Sequence, residues 1–105
     1  MRASYLFCAF YSSAAQYKST LAEINTTIRQ ISKGDMHILM PGTGGLCIGF
    51  TSDLPSKQLY GRLSRFGDEQ FYYVVVQVAA MIQGTMSEQS LQWIQARFGR
   101  PQKED

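Results

Sequence analysis

The sequence predicts a single α+β domain built on a four-stranded antiparallel sheet, and three observations carry that prediction. One long segment repeats its apolar residues with alternating spacings of four and three, the period of a helix with one buried stripe. Four other segments are short, rich in aromatic or β-branched residues, and bounded by turn formers, as strands are. With 105 residues, 45% of them hydrophobic and 17% charged, the chain has a globular composition and the length of one domain with one core.

The first expected strand is Tyr5 to Tyr11. Ser12 and Ser13 then stand as candidate N-caps, with Ser13 and Gln16 at capping-box spacing. Tyr17, Leu21, Ile24, Ile28 and Ile31 form the apolar stripe of the first helix, and Glu23, Asn25, Arg29 and Gln30 lie off it. Lys33 and Gly34 close that helix, a cation near the negative end of the dipole and a residue free to turn left-handed. Two short strands, Met36 to Met40 and Leu46 to Phe50, are joined by the turn formers Pro41 to Gly45. Ser52, Asp53 and Pro55 announce a second helix that carries Leu59, Tyr60, Leu63 and Phe66 inward and ends near Gly67. Gly61, in its middle, is expected to mark close packing. Phe71 to Val78 is an uncharged strand that could continue to Ile82. Thr85 and Glu88 are spaced as a capping box opening a last helix with Leu91, Ile94 and Phe98 on one face.

The order β-α-β-β-α-β-α begins with the split β-α-β (ferredoxin-like) signature, an antiparallel sheet with both helices on one face, plus an additional C-terminal helix. The first and third strands are then central and the second and fourth are edges. Residues 1–99 form the domain; 100–105 read as a loose polar tail.

Several function classes lose support. The net charge is only +2, so bulk electrostatics give no argument for nucleic acid. Cys8 and Cys47 lie in apolar runs and read as buried, reduced thiols, which points to a cytoplasmic protein. Arg2, the apolar stretch Tyr5 to Tyr11 and Ser13-Ala14-Ala15 mimic a signal peptide. That stretch is short and aromatic, however, and cleavage would remove a central strand. No run approaches the roughly 20 apolar residues of a membrane span.

No catalytic, metal or cofactor constellation emerges. The Gly-rich Pro41 to Gly45 lacks the Lys-Ser/Thr ending of a phosphate loop and runs into a strand. Asp35 and His37 have no further ligand at metal spacing and read as a polar pair opening a strand. A cysteine nucleophile would need His37 beside it, and neither thiol reads as exposed. Lys57, Arg62 and Arg65 give the second helix a basic surface, a candidate for phosphate contact beside the plainer reading of a solvated face.

Strand side chains alternate between faces. With Leu6, Cys8, Phe10, Tyr72, Val74, Val76 and Val78 assigned to the helices, the other face carries Tyr5, Phe7, Ala9, Tyr11, Phe71, Tyr73, Val75 and Gln77. This face is too apolar for water. The third helix, a second copy of the chain or a ligand is expected to cover it, which makes Tyr5, Phe7, Tyr11, Phe71, Tyr73, Val75 and the helical Trp93 the interface candidates. The fourth strand sharpens the expectation. A long, uncharged, proline-free edge invites pairing, and a homodimer is the expected outcome. Base stacking in the manner of RNA-recognition domains is a poorer match, because Gly45 to Phe50 lacks their basic residue and paired aromatics.

Phe50-Thr51-Ser52-Asp53-Leu54, Leu59, Leu63, Asp68-Glu69, the valine strand and Trp93 together resemble small bacterial proteins of the ferredoxin-like superfamily that includes the CRISPR-adaptation small subunit and VapD-type toxins. The resemblance spans Tyr5 to Gly99 in element order and rests on few specific residues. It implies dimers paired through edge strands. It also implies, for some members, a metal-dependent ribonuclease using an aspartate at the end of the first strand. Here that position reads Phe10-Tyr11-Ser12-Ser13, and without carboxylate oxygen a magnesium site is in doubt. The helix after the fourth strand is a second departure. The expected function is therefore non-catalytic: a small dimeric binding or regulatory domain acting through a protein partner, as a regulator, inhibitor or immunity-type protein. Nucleic-acid binding through the basic helix and a degenerate ribonuclease are the alternatives.

Overall fold

Four strands and three helices follow one another in the computed structural model, which describes residues 3–41, 44–67, 70–78 and 87–98. They are β1 (Ala3–Tyr11), α1 (Lys18–Ile31), β2 (Met36–Pro41), β3 (Gly45–Ser52), α2 (Ser56–Leu63), β4 (Phe71–Val78) and α3 (Glu88–Phe98). The strands form one antiparallel sheet in the order β2-β3-β1-β4. The connection through α1 skips β3, the connection through α2 skips β1, and β2 and β4 are the edges. The proposed extension of the fourth strand to Ile82, Thr85 of the last capping box and the tail from 100 onward lie outside the described residues.

Bulk along β3 decides which way the sheet faces. Its large residues Leu46, Ile48 and Phe50 alternate with Gly45, Cys47 and Gly49, so only one face of β3 has side chains large enough to meet a helix layer. Register transmits that choice to β1, because Tyr5 pairs with Phe50, Phe7 with Ile48 and Ala9 with Leu46. It passes on to β4, where Tyr11 pairs with Phe71, Ala9 with Tyr73 and Phe7 with Val75. Tyr5, Phe7, Ala9, Tyr11, Ile48, Phe50 and Phe71 are accordingly buried under Tyr17, Ile24, Ile28 and Ile31 of the α1 segment and Leu59, Leu63 and Phe66 of the α2 segment. Aromatic rings stack through this core: Tyr5 on Phe50 at 5.3 Å, Phe7 on Tyr73 at 5.3 Å and Tyr11 on Phe71 at 5.5 Å between centroids. Each such ring contributes about 1.5–3 kcal/mol by burial alone.

This reverses the expected faces. Tyr5, Phe7, Tyr11 and Phe71 lie in the core, with Tyr73 and Val75 packed against it, so these interface candidates already have partners within their own chain. The outward set is Leu6, Cys8, Phe10, Tyr72, Val74, Val76 and Val78. The cause is the β3 alternation, whose influence on β1 and β4 depends on register.

Helix α3 packs on that second face, over its β2 side. Leu39 and Ile94 are buried there with Leu6, Cys47, Val78 and Trp93 around them. Leu39 shares the parity of His37, which pairs with Gly49, so strand alternation places it on this face, beside the register shift between Ile38 and Met40. Trp93 is seated on Gly49: a Cβ placed on Gly49 would stand 2.5 Å from the indole Cζ3 and 3.3 Å from Leu39 Cδ1. The indole is a core contact of this second cluster, so Trp93 also leaves the list of interface candidates. Polar ties hold the helix down. Arg97 pairs with Asp35 at 2.7 Å and lies over the Trp93 ring at 4.5 Å, and His37 Nε2 lies 3.2 Å from Ser90 Oγ while its ring stacks on Trp93. Ser87 Oγ accepts from the Ser90 N–H at 3.3 Å, so Ser87 is the N-cap of α3.

Helix ends differ from expectation where tertiary contacts outweigh local signals. Tyr17, not Ser13, stands at the α1 N-cap without any side-chain cap bond. Its ring is buried against Tyr11 and Phe71, and Ser12 Oγ instead donates to Gln16 Oε1. At the other end Lys33 (φ 55°) and Gly34 (φ 86°) both turn left-handed, and the Gly34 N–H donates to Arg29 O at 2.9 Å. Lys33 reaches Asp53 rather than the helix end. Ser52, expected to announce α2, donates its hydroxyl to Ile31 O at 2.8 Å and so caps α1.

Two glycines make opposite predictions. A methyl group at Gly49 meets Trp93, so Gly49→Ala is expected to destabilise the fold by about 1–3 kcal/mol through overpacking, read as a lower denaturant midpoint. A methyl group at Gly61 meets nothing within 4 Å, so that glycine marks no close packing. Gly61→Ala is expected to stabilise by about 0.5–1 kcal/mol, the helix cost of glycine, in the same titration.

Candidate interaction surface

The α3 cluster reaches Leu6 and Val78 but goes no further along β1 and β4, and an apolar stripe remains exposed beyond it. Phe10 is 61% exposed, Tyr72 65%, Val74 49% and Val76 42%. Register makes them neighbours: Phe10 is opposite Tyr72, part-exposed Cys8 opposite Val74, and Leu6 opposite Val76. None of these positions came from the sequence as an interface candidate. The signal that would have found them is the small-large alternation of Gly45 to Phe50.

The same strand is an open edge. β4 pairs with β1 alone, and Phe71–Val78 contains no charged residue and no proline. Among the described residues its outer N–H and C=O groups therefore have no ladder partner, and the strand itself carries neither the charge nor the proline that discourage edge pairing. Below this edge, between β4 and α2, lies a groove of about 580 Å³ lined by Leu59, Tyr60, Leu63, Tyr73, Val75 and Gln77 among others. The Tyr73 hydroxyl donates to Leu63 O at 2.5 Å across its floor, and Tyr60 stands 75% exposed at its rim. Edge, stripe and groove form one continuous, largely uncharged surface, with chemistry suited to backbone pairing and apolar contact.

The other candidate residues are dispersed or engaged. Asp35 accepts from Arg97 and from Thr51, and His37 contacts Ser90 and Trp93, so this pair ties α3 to the sheet. Lys57 and Arg62 are exposed on α2. Arg65 lies beyond the end of α2, donates to Thr27 Oγ1 at 3.2 Å and sits 5.0 Å over the Phe66 ring. Of the three cations expected to make α2 basic, Arg65 is thus tied to its own chain. Among the described residues, no group of three or more His, Cys, Asp or Glu is placed to hold a metal ion, and no helix is long and apolar enough to cross a membrane. Cys8 and Cys47 are free and half-buried rather than buried. They face each other across β1 and β3 with their sulfurs 3.7 Å apart.

Comparison with known proteins found no matching family model, no matching curated protein and no matching solved structure.

Burial, followed by the neighbouring Cys8, pushes the Cys47 thiol up to about 12 from an ordinary value of 9.0, and burial raises the phenols of Tyr11 and Tyr73. Each group keeps its proton in the folded chain at a pH where the unfolded chain releases it. The stabilisation is whole below the unfolded values and is lost as pH rises through the folded ones. Urea titrations are expected to give a stability that is level near neutrality and falls once pH exceeds about 9, with a shallower fall in Cys47→Ala.

Proposed function

We propose that this chain is a non-catalytic, dimeric binding domain. It pairs with a second copy along β4 and presents the joined apolar stripe to a protein partner, as a regulator, inhibitor or immunity-type protein would. The observation that carries this reading is the edge itself: eight residues, uncharged and proline-free, with no strand partner on their outer side among the described residues. Antiparallel pairing of two β4 strands is self-complementary, as a two-fold interface must be. It would place the α1–α2 layers of both copies on one side of a continuous sheet, with both α3 helices and the stripes of Phe10, Tyr72, Val74 and Val76 on the other. The exposed Tyr60 of each copy would then stand near the groove that β4 and α2 share.

Two further considerations support the reading. The order β2-β3-β1-β4, with both crossovers skipping a strand, is what a split β-α-β, ferredoxin-like domain requires, and the resemblance to bacterial members of that superfamily implies edge-strand dimers. The net charge of only +2 and the engagement of Arg65 with Thr27 and Phe66 favour a protein partner over nucleic acid. We place its action in the cytoplasm, where two free thiols stay reduced.

Light scattering coupled to size-exclusion chromatography tests the pairing. The unmodified chain is expected to run as a dimer. Val76→Lys, which puts a charge beside the edge at an exposed position, is expected to run as a monomer with an unchanged circular dichroism spectrum. A monomeric unmodified chain at every concentration, or a Val76→Lys dimer of equal stability, would contradict the proposal.

A further inference from the structure

We infer that Cys8 and Cys47 form a reversible dithiol–disulfide site that, when oxidised, staples the two central strands of the sheet. The inference rests on placement. The two residues are direct partners in the β1–β3 ladder, so their side chains leave the sheet on the same face and at the same level. Direct partners in an antiparallel ladder have Cα atoms about 4.5–5.5 Å apart, which falls inside the range of about 4.4–6.8 Å that a disulfide spans. Their sulfurs already lie 3.7 Å apart. Closing that gap to a bond calls for side-chain rotation rather than strand movement.

The surroundings make the two thiols unequal. Cys47 packs in the cluster beneath α3 with Leu39, Ile94 and Trp93. Cys8 lies opposite Val74, in the part of the face that α3 leaves open. Burial and the adjacent Cys8 hold the Cys47 thiol protonated. Cys8 is therefore the first to react with an oxidant from solution and Cys47 the resolving partner.

With glutathione disulfide as oxidant the chemistry balances. The Cys8 thiolate attacks one glutathione sulfur, its S–S bond breaks, and one glutathione thiolate leaves. Cys47 then gives its proton to solvent and attacks Cys8 Sγ in the mixed disulfide, and the second glutathione thiolate leaves. Two protein thiols are oxidised by two electrons, and one glutathione disulfide is reduced to two glutathiones. In a reducing compartment the pair rests as thiols and responds when the glutathione pool shifts.

The test treats the full chain with glutathione disulfide, then alkylates remaining thiols and records intact and peptide masses. The expected product has lost two hydrogens, takes up no alkylating agent, yields a Cys8–Cys47 linked peptide and returns to two free thiols with dithiothreitol. Its melting temperature is expected to rise by about 10 °C, since the bond closes a long loop. Cys47→Ser is expected to stop at a stable glutathione adduct on Cys8. Two alkylatable thiols after treatment, a persistent glutathione adduct on the unmodified chain, a disulfide between chains, or a linked form that melts at a lower temperature would each overturn the inference. None of these results depends on whether β4 pairs with a second copy.

Discussion

The sheet has two apolar faces, and the seat of Trp93 on Gly49 determines how much of the second one its own chain covers. Only a residue without a Cβ lets the indole approach β3 so closely. From that contact the rest of α3 follows: Ile94 meets Leu39, Arg97 reaches Asp35, and Ser90 meets His37. The helix is thereby fixed over β2, β3 and the Leu6–Val78 end of the face, and Phe10, Tyr72, Val74 and Val76 stay exposed. A large residue at position 49 would force α3 elsewhere and change which side chains meet solvent.

The two faces differ in kind as well as in coverage. Under α1 and α2 the core is a stack of cross-strand aromatics locked by register, where each ring touches both a strand partner and a helix. Under α3 the contact is smaller and more polar, with an ion pair about one-third exposed on each side and a histidine–serine contact at its edge. Exposed pairs of this sort contribute little individually, roughly 0–1 kcal/mol, so α3 depends mainly on Trp93, Ile94 and Leu39. The same asymmetry explains the unequal cysteines: the boundary of α3 runs between them, which leaves one thiol beneath the helix and the other beside the open stripe.

Most of the fold was legible in the sequence because its signals were local. The isoleucine spacing of α1 and the uncharged run Phe71 to Val78 each marked an element, and the order of the elements constrained β4 to a rim. The choice of face was not legible in the same way. Along β1 both parities are apolar, so Tyr5 to Tyr11 alone favours neither. The decisive alternation lies in Gly45 to Phe50, and it reaches β1 and β4 only through registers that no local signal specifies. Hence the exposed stripe lies on the expected strand and the other side: Tyr72 and Val74 stand where Tyr73 and Val75 were expected, and these two line the groove instead. Capping was misread for a related reason. Ser13 had the right chemistry, but Tyr17 gains more by burial between Tyr11 and Phe71 than the helix gains from one side-chain hydrogen bond of about 1 kcal/mol.

If, as we propose, a second copy completes the outer edge of β4, hydrogen exchange at the backbone amides of this strand shows it most directly. Along Phe71–Val78 alternate N–H groups point toward β1 and away from it. The account predicts that the inward set is protected at every protein concentration, while the outward set exchanges freely in dilute solution and becomes protected as concentration rises. Outward amides that exchange equally fast at all concentrations would contradict it, and would mean that the rim stays open in solution.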